Sequence, residues 1–307
     1  METKVALVVP TLNAGIRWHE WLEALKRQTC TPDKILVIDS MSDDDTVSQA
    51  EEYGISCVKI NRSEFNHGGT RNKSLTLCED IDIIVFMTQD AILESATSIE
   101  QLVDCLITSD ASAVFGRQLP HDDADILAIH ARQYNYPETS YVYSAQDIPQ
   151  YGIKTVFLSN SFAAYRKEDL LGVGGFPENV ILAEDSYVAA KLILAGKKVA
   201  YCADSAVYHS HNYTLLEEFK RYFDIGVFHA NESWIRERFG GAEGEGLKSV
   251  KSELRIMWPR YLLLIPYAFL KILLKYIGYR VGLKEKILPA RLKYHLSMHR
   301  RFWLPKQ

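Results

Sequence analysis

The amino-acid sequence predicts an α/β fold, on three observations. Short β-branched runs recur through the first half: VALVV (5–9), ILVI (35–38), SCVKI (56–60), IIVFMT (83–88) and SAVFG (112–116). Between them apolar residues return at helical spacing, as in Trp18, Trp21, Leu22 and Leu25, in Leu75 to Cys78 behind a glycine pair, and in Ile99, Leu102, Val103 and Leu106. Strands alternating with crossover helices make a sheet covered by helices. The third observation is size: 307 residues, 47% hydrophobic and 24% charged, suffice to bury a large core as one domain or a domain with an appendage.

Past residue 116 the pattern loosens. Residues 117–155 are rich in Asp, Tyr and Pro, and are expected to form an insertion or a mobile substrate loop. Periodicity returns in VFLSNSFAAY (156–165). A turn follows at GVGGFPEN (172–179), then a helix from Asp185 to Leu194 ended by Gly196, and a strand at KVAYCA (198–203). One long helix is expected over 215–238, and GGAEGEG (240–246) reads as a linker. The division predicted is a body over 1–240, a linker over 241–250 and a C-terminal segment over 251–307.

That last segment differs electrostatically from the rest. Residues 251–307 carry thirteen Lys/Arg against Glu253 and Glu285, a net of +11, which leaves −15 for residues 1–250. Within it, WPRYLLLIPYAFLKILLKYIGYRVG (258–282) has its longest uncharged stretch at Tyr261–Leu270, short of the roughly 20 apolar residues of a spanning helix. With Lys271, Lys275 and Arg280, and the basic residues, Phe302 and Trp303 beyond, residues 258–307 read as a basic amphipathic segment for an anionic membrane surface. The alternatives are a helix pair packed on the body or a contact between two copies. Nucleic acid as a partner accounts for the tail alone, and the acidic body disfavours it. Five cysteines without a Cys-x-x-Cys pair fit a reducing compartment, and METKVALVVP has no signal-peptide h-region, so a cytoplasmic location is expected.

Candidate site residues lie where strands end, since open α/β sheets bind ligands beyond the carboxyl ends of their strands. Pro10, Thr11 and Asn13 follow the first strand. Asp39 follows the second, placed to accept from a ring N–H or ribose hydroxyls, while Asp43–Asp45 are better suited to capping the next helix. FNHGGTRN (65–72) offers His67, close backbone approach at Gly68, and Arg71 as a cation for phosphate; a structural glycine pair with a structural arginine is the simpler alternative. FMTQDAIL brings Gln89 and Asp90 to the cleft edge. One carboxylate with substrate phosphates can hold Mg²⁺, and an imidazole from His209 or His211, which share a face of an extended segment, would suit Mn²⁺. Glu184 and Asp185 either cap a helix or include a general base.

In order, VVPTLN, VIDSMSDDDT, HGGTRN, TQD, GGF and ED resemble the family 2 glycosyltransferases with a GT-A fold, over residues 3–235. With FNHGGTRN, FMTQDA, SNSFAAYRK and HSHNYT, the chain is similar to bacterial rhamnosyltransferases that use dTDP-L-rhamnose for O-antigen or related polysaccharides. The resemblance implies a Rossmann-like mixed sheet, a divalent metal and an inverting transfer onto a saccharide acceptor; with residues 258–307 docked on the inner face of the cell membrane, that acceptor is expected to be lipid-linked, on a polyprenyl diphosphate. By position it makes Asp39 the pyrimidine-binding residue beside Pro10 and Thr11, Asp90 and His209 metal ligands, Asp185 the catalytic base and Glu184 its support. Thr88 stands where the usual metal motif has its first aspartate. A UDP-hexose or UDP-N-acetylhexosamine donor, and an inactive nucleotide-binding scaffold, are the competing expectations. A sugar nucleotidylyltransferase is disfavoured because TLNAGIRW lacks a glycine-rich triphosphate loop.

Overall fold

The structure is a computed structural model that describes residues 3–241 and 243–304. The first two residues of the expected body, Ala242 of the expected linker and the last three residues of the basic segment lie outside the described residues. Contacts divide the chain into two compact units, one of residues 1–122, 135–178 and 184–210, the other of 123–134, 179–183 and 211–307. The division thus falls near residue 210 rather than 240.

The first unit holds a nine-stranded mixed sheet: β1 (Val5–Thr11), β2 (Lys34–Asp39), β3 (Ser56–Lys59), β4 (Ile83–Met87), β5 (Ile92–Leu93), β6 (Ala113–Leu119), β7 (Tyr141–Tyr143), β8 (Phe162–Arg166) and β9 (Val199–Tyr208). The order is β3-β2-β1-β4-β8-β6-β9-β5, with β7 paired to β9. β3, β2, β1 and β4 run parallel, so Thr11 pairs with Asp39 and their following loops share one sheet edge. β8 is antiparallel to both β4 and β6. One sheet face is packed by the helix Arg17–Lys26, whose Trp18 and Trp21 stack 4.7 Å apart, and by the helix Ser98–Thr108. Burying each such large apolar side chain contributes about 1.5–3 kcal/mol.

The stretch 117–155 is ordered rather than a free loop. Tyr141 on β7 packs against Tyr201 on β9 at 4.9 Å, Tyr201 Oη donates to Pro137 O, and Ala203 N donates to Ser140 Oγ. The tyrosines that made it look like a mobile substrate loop fill an aromatic cluster around Phe115. Between these pieces the helix Ile126–Asn135 carries the chain through the second unit.

The second unit is helical. The expected helix over 215–238 breaks at Glu232 into Leu215–Asn231, entered through a Thr214–Glu217 capping box, and Ser233–Phe239. The expected linker is instead the start of a helix, Glu243–Met257. Its glycines cost helix propensity, and docking outweighs them: Met257 is fully buried with Leu127 and Ala268, and Ser252 Oγ meets His130 Nε2 at 2.9 Å. The helix Ile265–Gly282 lies along Leu215–Asn231 at backbone contact. A Cβ added at Gly226, Gly278 or Gly282 would sit 2.1–2.4 Å from a carbonyl of the facing helix.

The ionic pattern of this pair reverses the expected basic amphipathic face. Lys271, 4% exposed, and Lys275 both point at the buried Glu218, at 3.3 and 3.5 Å. The outer face carries Leu263, Phe269, Leu270, Leu273 and Tyr276, all exposed. With Lys271 and Lys275 paired inward, the run Leu262–Gly282 is long and apolar enough to cross a membrane by length and composition, where the sequence expectation ended the apolar stretch at Lys271.

Gly282→Val forces a side chain against Phe223 O and is expected to destabilise the protein by about 2 kcal/mol, as overpacked positions do. Gly172→Ala, whose Cβ meets nothing within 4 Å, is expected to stay within about 0.5 kcal/mol. Denaturant titrations of the two variants check both.

Candidate active site

Pro10, Thr11, Leu12, Ser40, Phe65 and Gln89 line a small cleft at the carboxyl edge of β1, β2 and β4. Gln89 closes one end by pairing with the backbone of Leu12, accepting from its N–H at 2.8 Å and donating to its carbonyl at 3.1 Å. Asn13, expected to face a ligand, instead cross-links two loops: its N–H donates to Ser42 Oγ, and its Oδ1 accepts from Asp43 N, both at 2.8 Å. Its φ of +47° is a conformation asparagine tolerates. Asp39 is fully buried. Its carboxylate accepts from Thr11 Oγ1 at 2.9 Å and from Ser42 N and Oγ at 2.8 and 2.5 Å. Three of its roughly four acceptor positions therefore hold the cleft wall together. Of the capping aspartates, Asp44 serves Thr46 N and Oγ1, while Asp43 pairs with Arg62.

The glycine pair and Arg71 belong to the fold rather than to a phosphate site. A Cβ at Gly68 would lie 2.0 Å from Pro177 O, so that glycine admits the GGFP turn. Asn66 caps the helix His67–Leu77 by accepting from Gly69 N at 2.6 Å. Arg71, 3% exposed, is sandwiched near the rings of Phe86 and Phe176 and donates to Glu184 Oε1 at 2.6 Å. Burial pushes the Glu184 carboxyl up, and the Arg71 guanidinium, His67 and the hydrogen bonds it accepts together more than offset that, holding the group below its ordinary value. Burial also lowers the His67 imidazole; that ring packs edge-on against Phe65.

Asp185 follows directly at the start of the helix Glu184–Leu194, behind Ala183 at φ +60°. Its Oδ1 accepts from Ser186 N at 2.8 Å and its Oδ2 from Asn160 N at 3.1 Å. Burial, and then the negative charge of Glu184, raise its carboxyl to about 7. A carboxylate so placed is a stronger base than an ordinary aspartate and is matched to neutral pH.

Asp90, part-exposed beyond β4, has Oδ2 3.5 Å from His209 Nε2. The other imidazole nitrogen, Nδ1, lies 2.9 Å from Gln118 Oε1. An Nδ1–H donated to that oxygen leaves Nε2 as a lone pair facing a carboxylate, the donor set of a divalent cation site with its tautomer fixed from behind. The pair therefore fits a metal held partly by the protein. Thr88, whose buried Oγ1 has no hydrogen-bond partner, adds no carboxylate.

One segment reaches the acidic pair directly and the Asp90–His209 pair through their neighbours. Ser159 Oγ accepts from Gln118 Nε2 at 2.9 Å, and Asn160 N reaches Asp185. Asn160 Nδ2 reaches Glu184 at 3.4 Å, its Oδ1 accepts from Tyr165 Oη at 2.6 Å, and Ser161 O accepts from Thr88 N at 3.3 Å. Sequence reasoning passed over Gln118, Asn160 and Tyr165. The signal available was SNS between two apolar runs, three polar residues too short for a loop of their own.

Residues 6–173 match the model of the family described as Glycosyl transferase family 2. The chain is 49% identical over 298 residues to the O-antigen chain rhamnosyltransferase WbaN of Salmonella anatum, covering 97% of this chain and 95% of that one. It is 50% identical over 301 residues to RfbN of Salmonella typhimurium, also an O-antigen chain rhamnosyltransferase, covering 98% and 96%. In fold it is similar to the mannosyltransferase of Pyrobaculum calidifontis solved with GDP-mannose and Mn²⁺, at TM-score 0.63 and 17% identity over 91% of this chain and 88% of that one.

Arg71→Met leaves Glu184 buried without its cation and is expected to cost about 3–5 kcal/mol of stability. The double variant Arg71→Met/Glu184→Leu, which removes the orphaned charge, is expected to recover most of it; urea unfolding of the two variants measures the difference.

Proposed function

This chain belongs to glycosyl transferase family 2, and from that premise we propose that it is an inverting rhamnosyltransferase of bacterial surface-polysaccharide synthesis. The observation that carries the reading is near-full-length identity of about half to two O-antigen chain rhamnosyltransferases. The donor proposed is dTDP-β-L-rhamnose and the acceptor a saccharide hydroxyl, on a polyprenyl diphosphate carrier.

The chemistry follows from the site. Asp185 takes the proton of the acceptor hydroxyl, and that oxygen attacks the anomeric carbon from the face opposite the diphosphate. The bond from that carbon to the diphosphate oxygen breaks, and an α-rhamnoside forms as the nucleotide diphosphate departs. Glu184 keeps its charge through Arg71 and thereby holds Asp185 basic, while Asn160 fixes the direction of its carboxylate. The cleft of Pro10, Thr11, Phe65 and Gln89 takes the nucleobase between apolar walls, with Asp39 behind it as the anchor of its loop. Asp90 and His209 would hold Mg²⁺ or Mn²⁺, which supplies charge stabilisation to the leaving diphosphate.

The exposed apolar outer face of Ile265–Gly282 supports a place in the cytoplasm at the inner membrane face. Because that helix lies along the charged helix Leu215–Asn231, in-plane attachment is favoured over spanning.

Nucleotide diphosphate release is to be followed with dTDP-rhamnose, UDP-glucose, UDP-N-acetylglucosamine and GDP-mannose, with and without Mn²⁺. Release confined to dTDP-rhamnose and lost on chelation is expected; release confined to a UDP-sugar would overturn the donor assignment. Asp185→Asn should abolish transfer while nucleotide binding persists. Because the base is the ionised carboxylate and its pKa is raised to about 7, kcat/KM is expected to climb with pH through that value, losing about tenfold per unit below it. A profile flat from acid to neutral pH would reject Asp185 as the base.

A further inference from the structure

A groove of about 400 Å³ opens at the C-terminal end of the helix Ile265–Gly282, lined by Tyr276, Ile277, Val281, Ile287 and Leu288 with Arg280 and Lys284. Its apolar walls are partly exposed, Tyr276 and Ile287 the most, at 57% and 78%. Two of the lining side chains are cations. Lys271 and Lys275 share Glu218 as a partner and Lys293 pairs with Glu285, whereas among the described residues neither Arg280 nor Lys284 has a carboxylate partner. Arg280 is steadied by Tyr276, whose Oη accepts from its Nη1 at 3.2 Å and whose ring lies 5.7 Å from its guanidinium carbon. Four donors of that guanidinium remain, and Lys284 stands one helical turn further on.

An apolar trough with two uncompensated cations, continuous along the same helix with exposed Leu273, Leu270 and Phe269, has the chemistry of a lipid with a phosphate headgroup. We infer that this groove seats one anionic phospholipid of the bilayer, with the phosphate on Arg280 and Lys284 and the chains along Ile277, Val281 and Ile287. The inference rests on the membrane attachment proposed above. It makes that attachment a defined site rather than a diffuse attraction of the basic segment.

The test is flotation of the full chain with phosphatidylcholine vesicles, alone or containing phosphatidylglycerol or a polyprenyl phosphate at equal charge. Arg280→Gln/Lys284→Gln is compared with Arg260→Gln/Arg291→Gln, which removes the same charge elsewhere. On phosphatidylglycerol vesicles the groove pair should lose ~30-fold in binding, each cation near an anionic surface contributing about a factor of five, and the control pair much less. Equal losses would overturn the site and leave diffuse attraction. Binding restored by the polyprenyl phosphate and not by phosphatidylglycerol would overturn the phospholipid assignment. No binding by the unaltered chain to any vesicle would remove both the site and the membrane attachment. Unchanged nucleotide diphosphate release in the groove pair shows that the fold is kept and separates these outcomes from failure of the transferase reading.

Discussion

Three residues, Ser159 to Ser161, set the geometry on which the rest of the candidate active site depends. They form the entry to β8, the antiparallel strand between β4 and β6, and each bonds to a different part of the site. Ser159 fixes Gln118 and through it the ring of His209; Asn160 fixes Asp185 and Glu184; Ser161 fixes the backbone at Thr88, two residues before Asp90. Asp185 and the Asp90–His209 pair are thereby referred to one rigid strand end, which is how a site keeps sub-ångström placement without being built on one element.

Behind that segment stands the buried ion pair of Arg71 and Glu184. A buried pair is poor at adding stability and good at enforcing geometry, since either partner alone is strongly unfavourable. Here it ties the helix His67–Leu77 to the helix Glu184–Leu194 and keeps a negative charge next to Asp185. Ionic order in the helical unit follows the same logic. Glu218 draws Lys271 and Lys275 inward, and glycines bring the two backbones together, so that leucine and phenylalanine are left on the outer face.

The strands and helices of the first half were legible in the sequence, because alternation of β-branched runs with helical periodicity is a local property. The order of the six motifs, and with it Asp185, Glu184 and the Asp90–His209 pair, could be read as well. What misled was local plausibility. Tyrosine and proline between 117 and 155 look like an insertion or a mobile substrate loop until β7 is paired to β9. Glycines at 240–246 look like a linker until Met257 and Ser252 find their partners around the helix Ile126–Asn135.

By itself the sequence determined the sheet and the family and nominated the candidate acids, since these follow from short-range pattern and from motifs in order. Only the tertiary structure decided what each polar residue faces. Arg71 and Gly68 serve Glu184 and Pro177 instead of a phosphate, Asn13 and Gln89 stitch loops, and Asp39 is closed in by Thr11 and Ser42. The lysines of the apolar helix turn inward. The physical reason is common to all of them: a charge or amide is satisfied by whichever partner the fold brings within about 3 Å, and partners up to 113 residues apart along the chain, as for Arg71 and Glu184, leave no trace in local sequence.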